Sequence, residues 1–253
     1  MILPLVFLHE SPANMHILDR TKKQDLSMRQ RKIEIAMGVL LLLGAWFASV
    51  QGAKLVSNLK NQNTPVVLID PGHGGEDPGV IGIDNIAEKD INLKIACLLK
   101  ERLLGNGLGV VMTREKDIGL YQENERNHKV QDMQNRCKVI AEHKPDCTIS
   151  IHQNSYPDAS VYGPQVFYYT DSSEGKTLAA ILQKTLNTQL KIEKPRVEKG
   201  NSSYYLLKRS EGVTVIVECG FLSNAKEAGL LTEENYQQQI AAAICAGVME
   251  YLR

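Results

Sequence analysis

The sequence predicts an α/β fold: a mostly parallel, twisted sheet of about five or six strands with helices on both faces, forming a single catalytic domain behind an N-terminal membrane segment. Two observations carry that prediction. From Thr64 onward, short β-branched runs alternate with stretches whose apolar residues recur at helical spacing. Several of the short runs end abruptly in polar or glycine-rich tips, as strands do where an α/β sheet gathers its functional side chains at one edge.

The strands expected are Val66–Asp70, Gly109–Thr113, Cys147–His152, Gln165–Tyr169 and Val213–Glu218. Between them fall helices over Glu88–Leu104, Glu125–His143, Glu174–Leu190 and Glu233–Leu252. The first helix carries Ile91, Ile95, Leu98, Leu99 and Leu103 on one stripe and stops at Gly105-Asn106-Gly107. The third carries Leu178, Ile181, Leu182 and Leu186, and the last Tyr236, Ile240, Ile244, Val248 and Tyr251. These stripes read as core faces. Lys191–Ser203, rich in both charges, reads as a solvated loop or as the rim of a groove.

Ahead of the domain, Ile35–Val50 is apolar and uncharged and follows Arg29, Arg31 and Lys32. A positive flank, an apolar centre and a small-residue exit fit a signal peptide or an uncleaved anchor, and place the rest of the chain outside the cytoplasm. The expected organisation is a leader over 1–32, a signal peptide or anchor over 33–50, a linker over 51–64 and the catalytic domain over 65–253. Met28 is a second candidate start, and N-terminal sequencing of the natural product tests it.

Lys+Arg and Asp+Glu both number 29, so there is no basic excess for nucleic acid. The five cysteines are odd in number and widely spaced, with no CxxC, which argues against a disulfide framework or a cysteine zinc site. They read as small buried hydrophobes, Cys219 included.

The chemistry lies at the tips. Val66–Ile69 runs into Asp70-Pro71-Gly72-His73-Gly74-Gly75, Cys147–Ile151 into His152-Gln153-Asn154, and Val213–Val217 into Glu218. Two imidazoles and a carboxylate suit a hydrolytic zinc site, and a further carboxylate suits its base. Glu218 follows the largely apolar run Val213-Thr214-Val215-Ile216-Val217, where an unpaired acid is costly. The residues alone leave the third ligand open: Glu88 opens a helix, while Glu76 and Asp77 lie nearer His73 in sequence. Asn154 is a candidate for substrate binding or for a turn. His128 and His143 read as solvated positions.

Taken in order, these segments resemble the zinc-dependent N-acetylmuramoyl-L-alanine amidases of the Rossmann-like type. The carriers are Val67–Gly75, Glu88 ahead of a Leu/Ile helix, Thr113-Arg114, Arg136, Ser150–Ser155 and Val217–Asn224. The likeness spans roughly residues 65–253, and a single domain without wall-binding repeats looks most like the germination-specific members of spore-forming bacteria. The resemblance implies Zn²⁺ as cofactor, His73, Glu88 and His152 as its ligands, Glu218 as the catalytic residue, and peptidoglycan of spore cortex or vegetative wall as substrate, cut at the amide between N-acetylmuramic acid and L-alanine. It names no protein partner. The competing readings are a zinc peptidase on stem peptides and a partner-dependent or silent amidase-like module.

Overall fold

In the computed structural model, which describes residues 64–253 apart from Glu123 and Glu125 and, before them, only Met28, Met37, Gly38 and Gly44, six strands form one sheet. They are β1 (Val66–Pro71), β2 (Gly109–Met112), β3 (Cys147–Asn154), β4 (Gln165–Tyr169), β5 (Lys199–Asn201) and β6 (Thr214–Phe221). Their order is β2-β1-β3-β6-β4-β5. β2, β1, β3 and β6 run parallel, and β4 pairs antiparallel with β6 and parallel with β5. The sheet is therefore mostly parallel, as its β-branched runs require. Apart from those four residues and Thr64, the expected leader, membrane segment and linker lie outside the described residues. Among the described residues no helix is long and apolar enough to cross a membrane.

The helices are α1 (Glu88–Gly105), α2 (His128–His143), α3 (Ser173–Gln189), α4 (Tyr205–Arg209), α5 (Ala225–Thr232) and α6 (Glu234–Tyr251). Side chains alternate across each strand, which divides them between two layers. Val67, Ile69, Ile149, Ile151, Val215 and Val217 meet Ile91, Ile95 and Leu99 of α1, Leu178 and Leu182 of α3, and Ile240 and Ile244 of α6. On the opposite face Leu68 packs on Ile140 of α2 and Leu206 of α4, while Ile216 and Phe167 pack on Leu207. Helices thus cover both faces. The second cover is thinner, and its strand positions turn polar toward the carboxyl ends: Asp70, Ser150, His152 and Glu218 share that parity. Register sets Asp70 beside Ser150 and His152 beside Glu218.

Asp70, 1% exposed, is the buried knot beneath that polar edge. Its Oδ1 accepts from Thr113 Oγ1 at 2.7 Å and Arg136 Nη1 at 2.6 Å, and its Oδ2 from Ser150 Oγ at 2.7 Å. Burial alone would raise its pKa, but the Arg136 charge and the two hydroxyls bring it down to about 2. An acid whose folded pKa lies below its unfolded value adds stability that is complete above the unfolded value and disappears as pH falls through the folded one. On this account urea unfolding of metal-free protein should lose about 2 kcal/mol of stability between pH 4 and pH 2. A midpoint that stays level to pH 2 contradicts this role for Asp70.

Candidate functional site

β1 ends at Pro71, and the chain turns sharply into the glycine loop. Gly72 is needed there because a Cβ would stand 2.2 Å from His152 Cε1. His73 adopts φ 61°, the left-handed region that costs a non-glycine residue about 1–2 kcal/mol. Its Nδ1 lies 2.9 Å from Asp77 Oδ2, and Asp77 is itself held by Gly79 N at 3.1 Å. Asp77, a rival ligand by sequence, thus orients His73 and leaves Nε2 to face Glu88 Oε2 at 3.2 Å. Glu76, the other rival, points elsewhere: its carboxylate meets His128 Nδ1 at 2.7 Å. His128 also stacks on Tyr121 at 4.2 Å, so it is part of a clasp rather than a solvated position.

Glu88 opens α1, as its place in the sequence suggests, and is 2% exposed. Its Oε2 accepts from Val80 N at 2.9 Å, and its Oε1 from Gln153 N at 3.0 Å and Asn92 Nδ2 at 3.2 Å. His152 Nδ1 lies 2.9 Å from Oε1. Burial opposes the charge, yet hydrogen bonds from His152 and His73 hold this carboxyl far below the usual range. Burial would likewise lower the His73 pKa, but Glu88 and Asp77 raise it. Gly79 (φ +69°) leaves open the space between the groups: a Cβ there would lie 2.5 Å from Glu88 Oε2 and 2.7 Å from His73 Cδ2. Ligand atoms of His73, Glu88 and His152 all fall within 4.8 Å of one another, a spacing that could hold a metal ion.

Glu218 sits inside β6, opposite His152 on β3 and Gln165 on β4. The β3–β6 register slips between His152 and Asn154, at the edge where the site opens. Glu218 is 8% exposed, and its buried Oε2 has no hydrogen-bond partner among the described residues. Burial pushes its pKa up to about 7; Glu88 adds to the rise and the two histidines oppose it. Cys219 next to it is fully buried, its thiol pushed up by burial, and belongs to the core as expected.

These groups line a cleft of about 460 Å³ that also takes in Lys129, Tyr204 and Tyr205. Asn154 lines it too, but its Oδ1 accepts from Ser155 N at 2.8 Å, the local contact of a turn-forming asparagine. Sequence reasoning missed the two tyrosines. Asn201 Oδ1 fixes their approach by accepting from Ser203 N and Tyr204 N, both at 2.8 Å, and Tyr204 packs edge-on against Phe167 at 5.4 Å. The alternative reading of Lys191–Ser203 as a groove rim pointed toward this segment.

The N-acetylmuramoyl-L-alanine amidase family model matches residues 67–250, which contain every side chain of this site. The chain belongs to that family. As an amidase it hydrolyses the amide between N-acetylmuramic acid and L-alanine in peptidoglycan. It is 34% identical over 189 residues to the germination-specific N-acetylmuramoyl-L-alanine amidase of Bacillus subtilis, covering 74% of this chain and 79% of that one. It is 31% identical to the B. subtilis amidase LytC over 92% of this chain, but spans only 45% of that longer protein. Among solved structures, the CwlD amidase from Clostridioides difficile, in complex with the GerS lipoprotein, shares 38% identity at a TM-score of 0.73, over 75% of this chain and 98% of that one. The amidase fold expected from the sequence is thus the fold observed.

Proposed function

We propose that the amidase is a zinc enzyme in which His73, Glu88 and His152 hold the metal and Glu218 is the general base. The observation that carries this reading is the gathering of three ligand atoms within 4.8 Å, beside a buried carboxylate oxygen with no hydrogen-bond partner. The donor set suits zinc, Gly72 and Gly79 keep side-chain bulk out of the cradle, and Asp77 supports His73 from behind. Bound there, zinc would supply a Lewis acid for the scissile carbonyl and lower the pKa of water at its open position. Glu218 takes the proton from the attacking water and returns it to the departing nitrogen of L-alanine. Its raised pKa, about 7, matches a group that must both accept and donate near neutral pH. Asn154, Tyr204 and Tyr205 on the cleft wall orient the substrate.

Likeness to a germination-specific amidase supports spore cortex as the polymer attacked. It also supports action outside the cytoplasm, with Ile35–Val50 as leader or anchor. A structural neighbour solved with a lipoprotein supports a partner of that kind. The test treats purified cortex and vegetative peptidoglycan with the enzyme before and after complete zinc removal. Released stem peptides with a free L-alanine amine, intact glycan chains and restoration by zinc are expected. Cleavage within the stem peptide points to a peptidase, and full activity without zinc refutes the metal mechanism.

A further inference from the structure

Thr113-Arg114 carries part of the family resemblance, yet neither the fold nor the proposed chemistry uses Arg114. The residue is 2% exposed. Among the described residues it makes no ion pair within salt-bridge distance. It donates instead to four backbone carbonyls: Nε to Pro71 at 2.9 Å, Nη1 to Lys116 at 3.1 Å, and Nη2 to both Gly72 and Lys89 at 2.9 Å. Burial and the nearby Arg136 charge both lower its pKa. Taking a cation out of water without a bonded carboxylate costs several kcal/mol, so this arrangement has to be offset by what the carbonyls hold in place.

Two of those carbonyls are informative. Gly72 immediately precedes His73, and Lys89 immediately follows Glu88. One nitrogen of one side chain therefore ties the backbones of two proposed zinc ligands that lie fifteen residues apart in sequence. The surroundings are shaped for it. Gly74 (φ +129°) has no room for a Cβ, which would lie 2.9 Å from Arg114 Nε and 2.4 Å from Ile118 O. Arg136 holds the same loop from the other side, donating to Pro71 O at 2.9 Å and His73 O at 2.7 Å. Arg136 also has Asp70 and Asp132 as ionic partners, which gives it a role in the core. Among the described residues Arg114 hydrogen-bonds only carbonyls, and Asp70, Asp117 and Asp132 act on it through charge without a bond.

We propose that Arg114 is a positioning residue that sets the separation of His73 and Glu88 and so tunes metal affinity. The inference rests on the zinc reading above. Lysine cannot replace it, because its three donors sit on one nitrogen, whereas Arg114 makes four hydrogen bonds from three separate nitrogens.

The experiment titrates Zn²⁺ alone into metal-free full-length protein against a chelator of known affinity, and records thermal unfolding with and without zinc. Wild type should take up one zinc and His73→Ala none; wild type that takes up none overturns the metal reading, and this inference with it. Arg114→Lys keeps the charge and most of the bulk. It should bind zinc about tenfold or more weakly, and zinc should raise its unfolding temperature less than in wild type, whatever the change in its zinc-free unfolding temperature. Arg114→Gln should show the same loss; if that variant does not fold, Arg114→Lys decides alone. Wild-type zinc affinity in Arg114→Lys overturns the proposal. So does a fall in zinc-free stability together with an undiminished zinc-induced rise, since that is the mark of a merely structural arginine.

Discussion

Replacing Glu218 with glutamine should slow amide cleavage by roughly 10²–10⁴-fold and leave zinc uptake unchanged. Glutamine keeps the shape but cannot carry the proton from water to the leaving nitrogen. The same change should stabilise the metal-free protein. A buried carboxyl with a pKa of about 7 binds its proton more tightly folded than unfolded. Wild-type stability therefore falls as pH rises from about 4.5 to 7 and levels off above that, with a total loss on the order of 3 kcal/mol. Glutamine has no proton to lose, so the advantage of the variant should grow over that interval and persist at higher pH. Kinetics on purified peptidoglycan and urea unfolding at pH 5 and pH 8 check both halves. Undiminished cleavage by the variant would remove Glu218 from the mechanism, and an equal stability difference at the two pH values would refute the linkage.

Arg136→Ala should cost about 3–5 kcal/mol, the range for breaking a buried ion pair from one side. Arg136 is 1% exposed and joins Asp70 at 2.6 Å, Asp132 at 2.6 Å and the carbonyls of Pro71 and His73. Removing it strands Asp70 inside the sheet without its cation. Unfolding in urea measures the loss. The double variant Asp70→Asn with Arg136→Met should recover part of it, because position 70 then buries no unpaired charge and only the less buried Asp132 is left without its cation. A loss under about 1 kcal/mol for Arg136→Ala would place the pair among those that contribute little.

The long elements were legible because their patterns are long. β1, β3 and β6 are short runs rich in Val and Ile, and α1, α3 and α6 carry stripes over many turns. β5, α4 and α5 escaped notice. Lys199–Asn201 has three residues with glycine in the middle, and Tyr205–Arg209 barely completes a turn, so neither shows a period. β5 exists because β4 offers it an edge, pairing Phe167–Tyr169 with Lys199–Asn201. α2 begins at His128, later than the expected Glu125, because the side chain of Asn127 caps it by accepting from Val130 N. At the site, the strand tips showed which side chains converge but not how each is held. That Asp77 orients His73, that Gln153 N and Asn92 steady Glu88, and that Arg114 ties the glycine loop to the first turn of α1 are facts of distance, and spacing along the chain does not encode them.

His152 and Glu218 face each other across one rung of the β3–β6 ladder. Their separation is thus governed by the backbone hydrogen bonds of two central strands, not by any loop. Loops around the cleft can lengthen, shorten or be exchanged between cousins without moving that couple. A chain with an altered rim would keep the proposed ligand and the proposed base at the same separation. Deleting a single residue within β6 ahead of Glu218 does the reverse: the carboxylate turns to the other side of the sheet, and no rebuilding of the rim can bring it back.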